Sequence, residues 1–70
     1  MEYINSLIRE LIAEHIHSER NRKILERRLI DGITIEKLAE EMDLSVSQVK
    51  RILLKDSDII FRVYEKMSRK

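Results

Sequence analysis

The chain runs seventy residues with no proline and a single glycine, Gly32. Within a helix, glycine costs about 1 kcal/mol and proline about 3 kcal/mol relative to alanine. A chain almost free of both can be helical nearly throughout, with its breaks placed by capping residues. The apolar residues agree. Ile4, Leu7, Ile8, Leu11, Ile12 and Ile16 recur at i, i+3 and i+4, the stripe of an amphipathic helix over Tyr3 to Ile16. Ser18 can cap a second helix, Glu19 to Asp31, that buries Ile24, Leu25, Leu29 and Ile30. Gly32 then suits the left-handed residue that ends many helices.

Thr34 is placed to cap a short third helix, Ile35 to Met42, with Glu36 near its positive end. Asp43 and Leu44 make a turn. Ser45 caps the next helix, and Gln48, three residues on, can return a bond to the Ser45 amide. In the last helix Val49, Leu53, Asp56, Ile60, Val63 and Met67 keep one phase. This predicts one long helix from Val46 to about Ser68, with a possible kink at Asp56–Asp58. The alternative is a separate helix from Asp58, capped by Asp56 or Ser57. The expected fold is all-α: a compact four-helix domain over residues 1–70, with an N-terminal amphipathic helix in 1–17 and a helix-turn-helix in 35–55.

Two short capped helices about three residues apart have helix-turn-helix spacing. They can cross near a right angle only if a small residue lies at the closest approach, and Ala39 is placed to be that residue. Leu38, Met42, Leu44, Val49 and Ile52 point into the shared core. Val46, Ser47, Lys50, Arg51 and Lys55 then fall together on the outer face of the second helix. Such a helix enters the major groove with its N-terminal residues at base edges. Val46 has two readings there: contact with a thymine methyl, or half-burial at the helix start. Gln48 can donate to phosphate or base, or be occupied as a cap.

The stretches Arg20-Asn-Arg22-Lys-Ile24-Leu25-Glu-Arg-Arg28-Leu, Asp31-Gly32-Ile-Thr34, Leu38-Ala39-Glu-Glu and Leu44-Ser45-Val46-Ser47-Gln48-Val49-Lys50 resemble the helix-turn-helix superfamily. The closest likeness is to region four of bacterial sigma factors, over about Arg20 to Lys55. The resemblance implies that Val46, Ser47, Lys50 and Arg51 face bases or phosphates, and that Arg28 and Thr34 lie near the DNA backbone. It also makes RNA polymerase a possible partner. The turn in that family usually carries glycine where this chain has Asp43, although aspartate tolerates the left-handed conformation better than most residues. At this length no upstream sigma domain is expected. A sigma-like regulator or a small phage or mobile-element protein fits better than a complete sigma factor.

Formal net charge is only +1, but it is segregated. Residues 1–19 hold one arginine against four glutamates, and 20–33 hold five bases against two acids. Residues 34–44 hold one lysine against four acids, and 45–70 seven bases against three acids. A basic footprint on one face is the condition for nucleic-acid binding. Alternating charge for solubility gives the same counts. The cations at Arg20, Arg22, Lys23, Arg27 and Arg28 cannot all face one way. Most are expected to pair with Glu19, Glu26 or the acidic first helix, and some to hold phosphates.

Other classes find little support. There is no cysteine, and His15 and His17 point in different directions on a helix, so no metal site or cofactor is expected. No nucleophile elbow, phosphate loop or paired-carboxylate arrangement is visible, so no enzyme is expected. No apolar run reaches the roughly 20 residues of a membrane span, and the N-terminus lacks the order of a signal peptide. A cytoplasmic location without membrane association follows.

The leading expectation is a small transcriptional regulator or sigma-like factor that binds double-stranded DNA sequence-specifically. The alternative is a protein–protein adaptor on the same fold, such as a polymerase-binding or phage packaging subunit. Leu54 and Phe61 lie off the inner stripe of the last helix, and the first helix has a wide apolar face. These suggest a partner surface, such as a homodimer, or simply two helices covering each other.

Overall fold

A computed structural model of the chain describes residues 5–68, with side chains described through 67. It contains α1 (Asn5–His15), α2 (Glu19–Leu29), α3 (Ile35–Met42) and α4 (Val46–Ser68). No strand occurs among the described residues. Ile4 and the expected helix start at Tyr3 lie outside them.

Each junction follows from a local hydrogen-bonding need. Ser18 accepts the Asn21 amide at 3.3 Å and so satisfies one of the donors left open at the start of α2. The helix ends at Leu29, two residues short of the expected Asp31. Its last turn loosens, with the Asp31 amide donating to the Glu26 carbonyl at 3.3 Å. Gly32 is left-handed at φ 74°. The chain then turns back, and the Ile33 amide reaches the Arg27 carbonyl at 3.1 Å. Arg28 ties the same connection from its side chain, donating from Nη1 to the Ile33 carbonyl at 2.9 Å.

Thr34 Oγ1 accepts the Lys37 amide at 3.2 Å and starts α3. Asp43 ends it in the left-handed region, at φ 57° and ψ 45°. The Leu44 amide returns to the Ala39 carbonyl at 2.9 Å and the Asp43 amide to Glu40 at 3.4 Å. This is the Schellman closure usually built on glycine. Three residues separate α3 from α4, and the expected reciprocal cap is formed. Ser45 Oγ accepts the Gln48 amide at 3.1 Å, while Gln48 Oε1 accepts the Ser45 amide at 2.9 Å.

The last helix is continuous from Val46 to Ser68. Twenty-three residues at about 1.5 Å rise span about 34 Å, most of the 40 Å long axis of the molecule. It is the spine, packing on α1, α2 and α3 in turn. The core joins Ile8, Leu11, Ile12 and Ile16 to Ile24 and Leu25, to Leu38 and Ala39, and to Val49, Leu53, Ile60 and Tyr64. Leu7, Leu29, Ile30, Met42, Leu44, Ile52 and Val63 are half-buried against it. Met67 keeps the phase of the inner stripe but is 50% exposed, because it lies near the end of α4, past the last buried residue. Tyr64, not Met67, closes the core. Among the described residues no helix is long and apolar enough to cross a membrane.

Candidate nucleic-acid interface

The first half of α4 owes its orientation to what it buries. Val49 and Leu53 point inward, so Ser47, Gln48, Lys50, Arg51, Leu54 and Lys55 are exposed on the outside. Of the expected face, Val46 is the residue that differs. It is half-buried and packs against the core at the helix start, leaving only part of its surface for a base. Gln48 is a cap through both its backbone amide and Oε1. Among the described residues its side-chain nitrogen has no hydrogen-bond partner, so a donor remains. Lys50, Arg51 and Lys55 make no ion pair among the described residues, whereas Arg9, Arg27 and Arg62 each do.

Two clefts flank this face. On one side Arg28, Leu29 and Ile35 meet Lys50, Leu53, Leu54 and Ser57 around an open groove of about 290 Å³. Arg28 and Lys50 are therefore brought together although 22 positions separate them. Arg28 is half-buried, and its bond to the Ile33 carbonyl holds the guanidinium in place. Thr34 is exposed just beyond, its oxygen engaged as the α3 cap.

On the other side Arg20, Leu44, Gln48, Arg51 and Ile52 line a smaller cleft of about 190 Å³. Arg20 donates from Nε to Asn21 Oδ1 at 3.2 Å and is otherwise exposed. The amino-acid order leaves Arg20 among five cations of α2, most expected to form ion pairs and some to hold phosphates, without saying which. Its neighbourhood with Arg51 depends on how α2 lies along α4, and no local pattern reports that. Among the described residues the cleft has two guanidinium groups and no carboxylate in its lining, the donor set suited to a phosphate oxygen.

The remaining cations divide differently from the expectation of pairing with Glu19, Glu26 or the first helix. Arg27 reaches across to α3 and holds Glu41 through both carboxylate oxygens, at 3.2 and 2.7 Å, and binds Asp31 at 3.0 Å. The hydrogen bond from Arg27 is the main reason the Glu41 carboxyl lies below the ordinary glutamate value of 4.5. Reciprocally, the bond to Glu41 raises the Arg27 guanidinium. Glu26 is instead approached by Arg9 of α1, at 3.9 Å with both side chains largely exposed. The reason is geometric: Arg27 and Glu26 are neighbours in sequence but point to different sides of α2. No cluster of three metal-ligating side chains occurs among the described residues.

Two helices of this size joined by a three-residue Schellman turn, with an outward cationic face, make a helix-turn-helix. The chain matches the family described as Sigma-70, region 4, over residues 18–55. The chain belongs to the sigma-70 region 4 family. That family is a DNA-binding helix-turn-helix unit. No curated protein and no solved structure matches the chain. The region 4 match takes in the Ser18 cap, α2, α3 and the first half of α4, ending at Lys55. It leaves α1 and the second half of α4 outside, although both complete the core under the region 4 helices.

Proposed function

We propose that this region 4 unit is a small transcriptional regulator or sigma-like factor that reads double-stranded DNA sequence-specifically in the cytoplasm. Ser47, Lys50, Arg51 and Lys55 face the major groove, with Val46 and the Gln48 nitrogen at its edge. Arg28 and Thr34 meet the backbone on one flank, and Arg20 meets it on the other. RNA polymerase is the protein partner this role calls for. The observation that carries the reading is the outer face of α4, where Lys50, Arg51 and Lys55 are exposed and without an ion pair among the described residues, while Arg27 on the same domain is fully engaged. Unpaired cations on one face are available to displace counterions from a duplex.

Selection of bound duplexes from a random library, with the mass of the complex measured, tests it. Recovery of a defined sequence supports the reading, and a two-fold site with a doubled mass would add a homodimer. Failure to bind any duplex at low salt would refute it.

One observation favours a second reading, a protein–protein adaptor such as a polymerase-binding or packaging subunit. Leu54 is 78% exposed over the groove lined by Leu29, Ile35 and Leu53. Binding to a protein partner that survives Arg51→Glu and is lost in Leu54→Lys would select that role.

A further inference from the structure

The middle of α4 contains a conflict that its ends do not. Asp56 occupies the inner stripe between Leu53 and Ile60, and it is only 7% exposed. Its Oδ2 is buried without a hydrogen-bond partner among the described residues. Arg22 on α2 likewise holds a buried Nε without a partner, yet no ion pair joins the two side chains. A buried carboxylate oxygen left unpaired costs stability, since it loses water and gains nothing in return.

Two further observations fall on the same turn. Ser57 Oγ donates to the Leu53 carbonyl, the acceptor that the Ser57 amide also uses in an α-helix. Back-bonding of this kind loosens and bends helices. The sequence there is Asp56-Ser57-Asp58, three successive residues that favour helix N-caps over helix interiors.

We infer that α4 is jointed at Asp56–Asp58. It exchanges between the continuous helix and an opened form in which Asp56 caps a separate C-terminal helix. Opening breaks the amide bonds of Ser57, Asp58 and Ile59 to carbonyls four residues back. In return the Asp56 carboxylate leaves the core and accepts the amide of Asp58 or Ile59. The reading half of α4, which ends at Lys55, stays with α2 and α3. The distal half, with α1 packed against α4, pivots on it. The joint thus lies one residue past the region 4 match, where the reading helix hands over to the helix that closes the core. This inference is independent of what the outer face of α4 binds.

Amide hydrogen exchange on the whole chain tests it. The amides of Ser57, Asp58 and Ile59 are expected to exchange about tenfold or more faster than those of Ile52, Leu53 and Val63. Asp56→Leu removes both the buried carboxylate and the cap, and should bring the three amides to the level of their neighbours. Asp56→Ala, which adds no volume, should slow them in the same way if leucine does not fit. Asp56→Asn keeps a capping side chain and should leave exchange fast. Uniform protection along α4 in the wild type, or fast exchange that persists in both Asp56→Leu and Asp56→Ala, would overturn the joint.

Discussion

Arg27 and Arg51 show how the surroundings of one side chain type settle its use. Arg27 lies between Asp31 and Glu41 and braces α2 against α3. The pair is about one-third exposed on each side, so solvent and salt screen it and its contribution is modest. Its pH dependence has a definite sign. The Glu41 carboxyl is depressed by the Arg27 hydrogen bond, so the stability it contributes is complete above the ordinary value of 4.5 and is lost as pH falls through the depressed value. Melting wild type and Glu41→Gln across acid pH should therefore show a gap that is constant near neutrality and narrows below about pH 4.5. A gap independent of pH would show that the charge of Glu41 does not matter. Among the described residues Arg51 has no such partner. If it reads a base, Arg51→Ala costs about 1–3 kcal/mol of DNA affinity and relaxes preference at one position. Competition among selected duplexes measures both effects, and unchanged discrimination would place Arg51 on phosphate instead.

At the scale of elements, the helix boundaries decide where the outer face of α4 points. Asp43 adopts a left-handed backbone with its Cβ present, which costs a non-glycine residue about 1–2 kcal/mol. Asp43→Gly relieves that cost at the price of a more flexible unfolded chain, and is expected to raise stability by up to about 1 kcal/mol. Urea denaturation reads the change, and a loss of stability would mean that the Asp43 side chain contributes something beyond its backbone angle. The reciprocal Ser45–Gln48 cap sets the start of α4. Ser45→Ala should cost about 1 kcal/mol, because the Gln48 amide loses its acceptor while Gln48 Oε1 keeps its bond to the backbone amide at position 45. An unchanged urea midpoint would show that the Gln48 bond suffices alone.

For the whole molecule, α4 is shared between the region 4 helices and α1, so the domain is expected to unfold as one unit. Ile60 lies outside the family match yet is fully buried in the common core. Ile60→Ala should cost about 2–5 kcal/mol, a large part of the stability of a chain this small. Loss of helix by circular dichroism and loss of DNA binding should then coincide in one transition. A folded helix-turn-helix that survives without the distal half would show two units instead. The separated charge segments also meet in the packed domain: Arg28 lies with Lys50 and Arg20 with Arg51, in clefts on the two sides of the outer face of α4.

The four helices, their caps at Ser18, Thr34 and Ser45, the left-handed residues Gly32 and Asp43 and the inward Ala39 could all be read from the amino-acid order. Each depends on interactions within about six residues, and helical periodicity reports which side of an element is apolar. Four matters could be settled only by the packed molecule: that Arg20 stands beside Arg51, that Arg27 takes Glu41, that Tyr64 closes the core in place of Met67, and that Asp56 is buried with one oxygen unpaired. These depend on how far each helix lies along its neighbour. That offset is fixed by the fit of side chains from distant parts of the chain, and no local pattern encodes it.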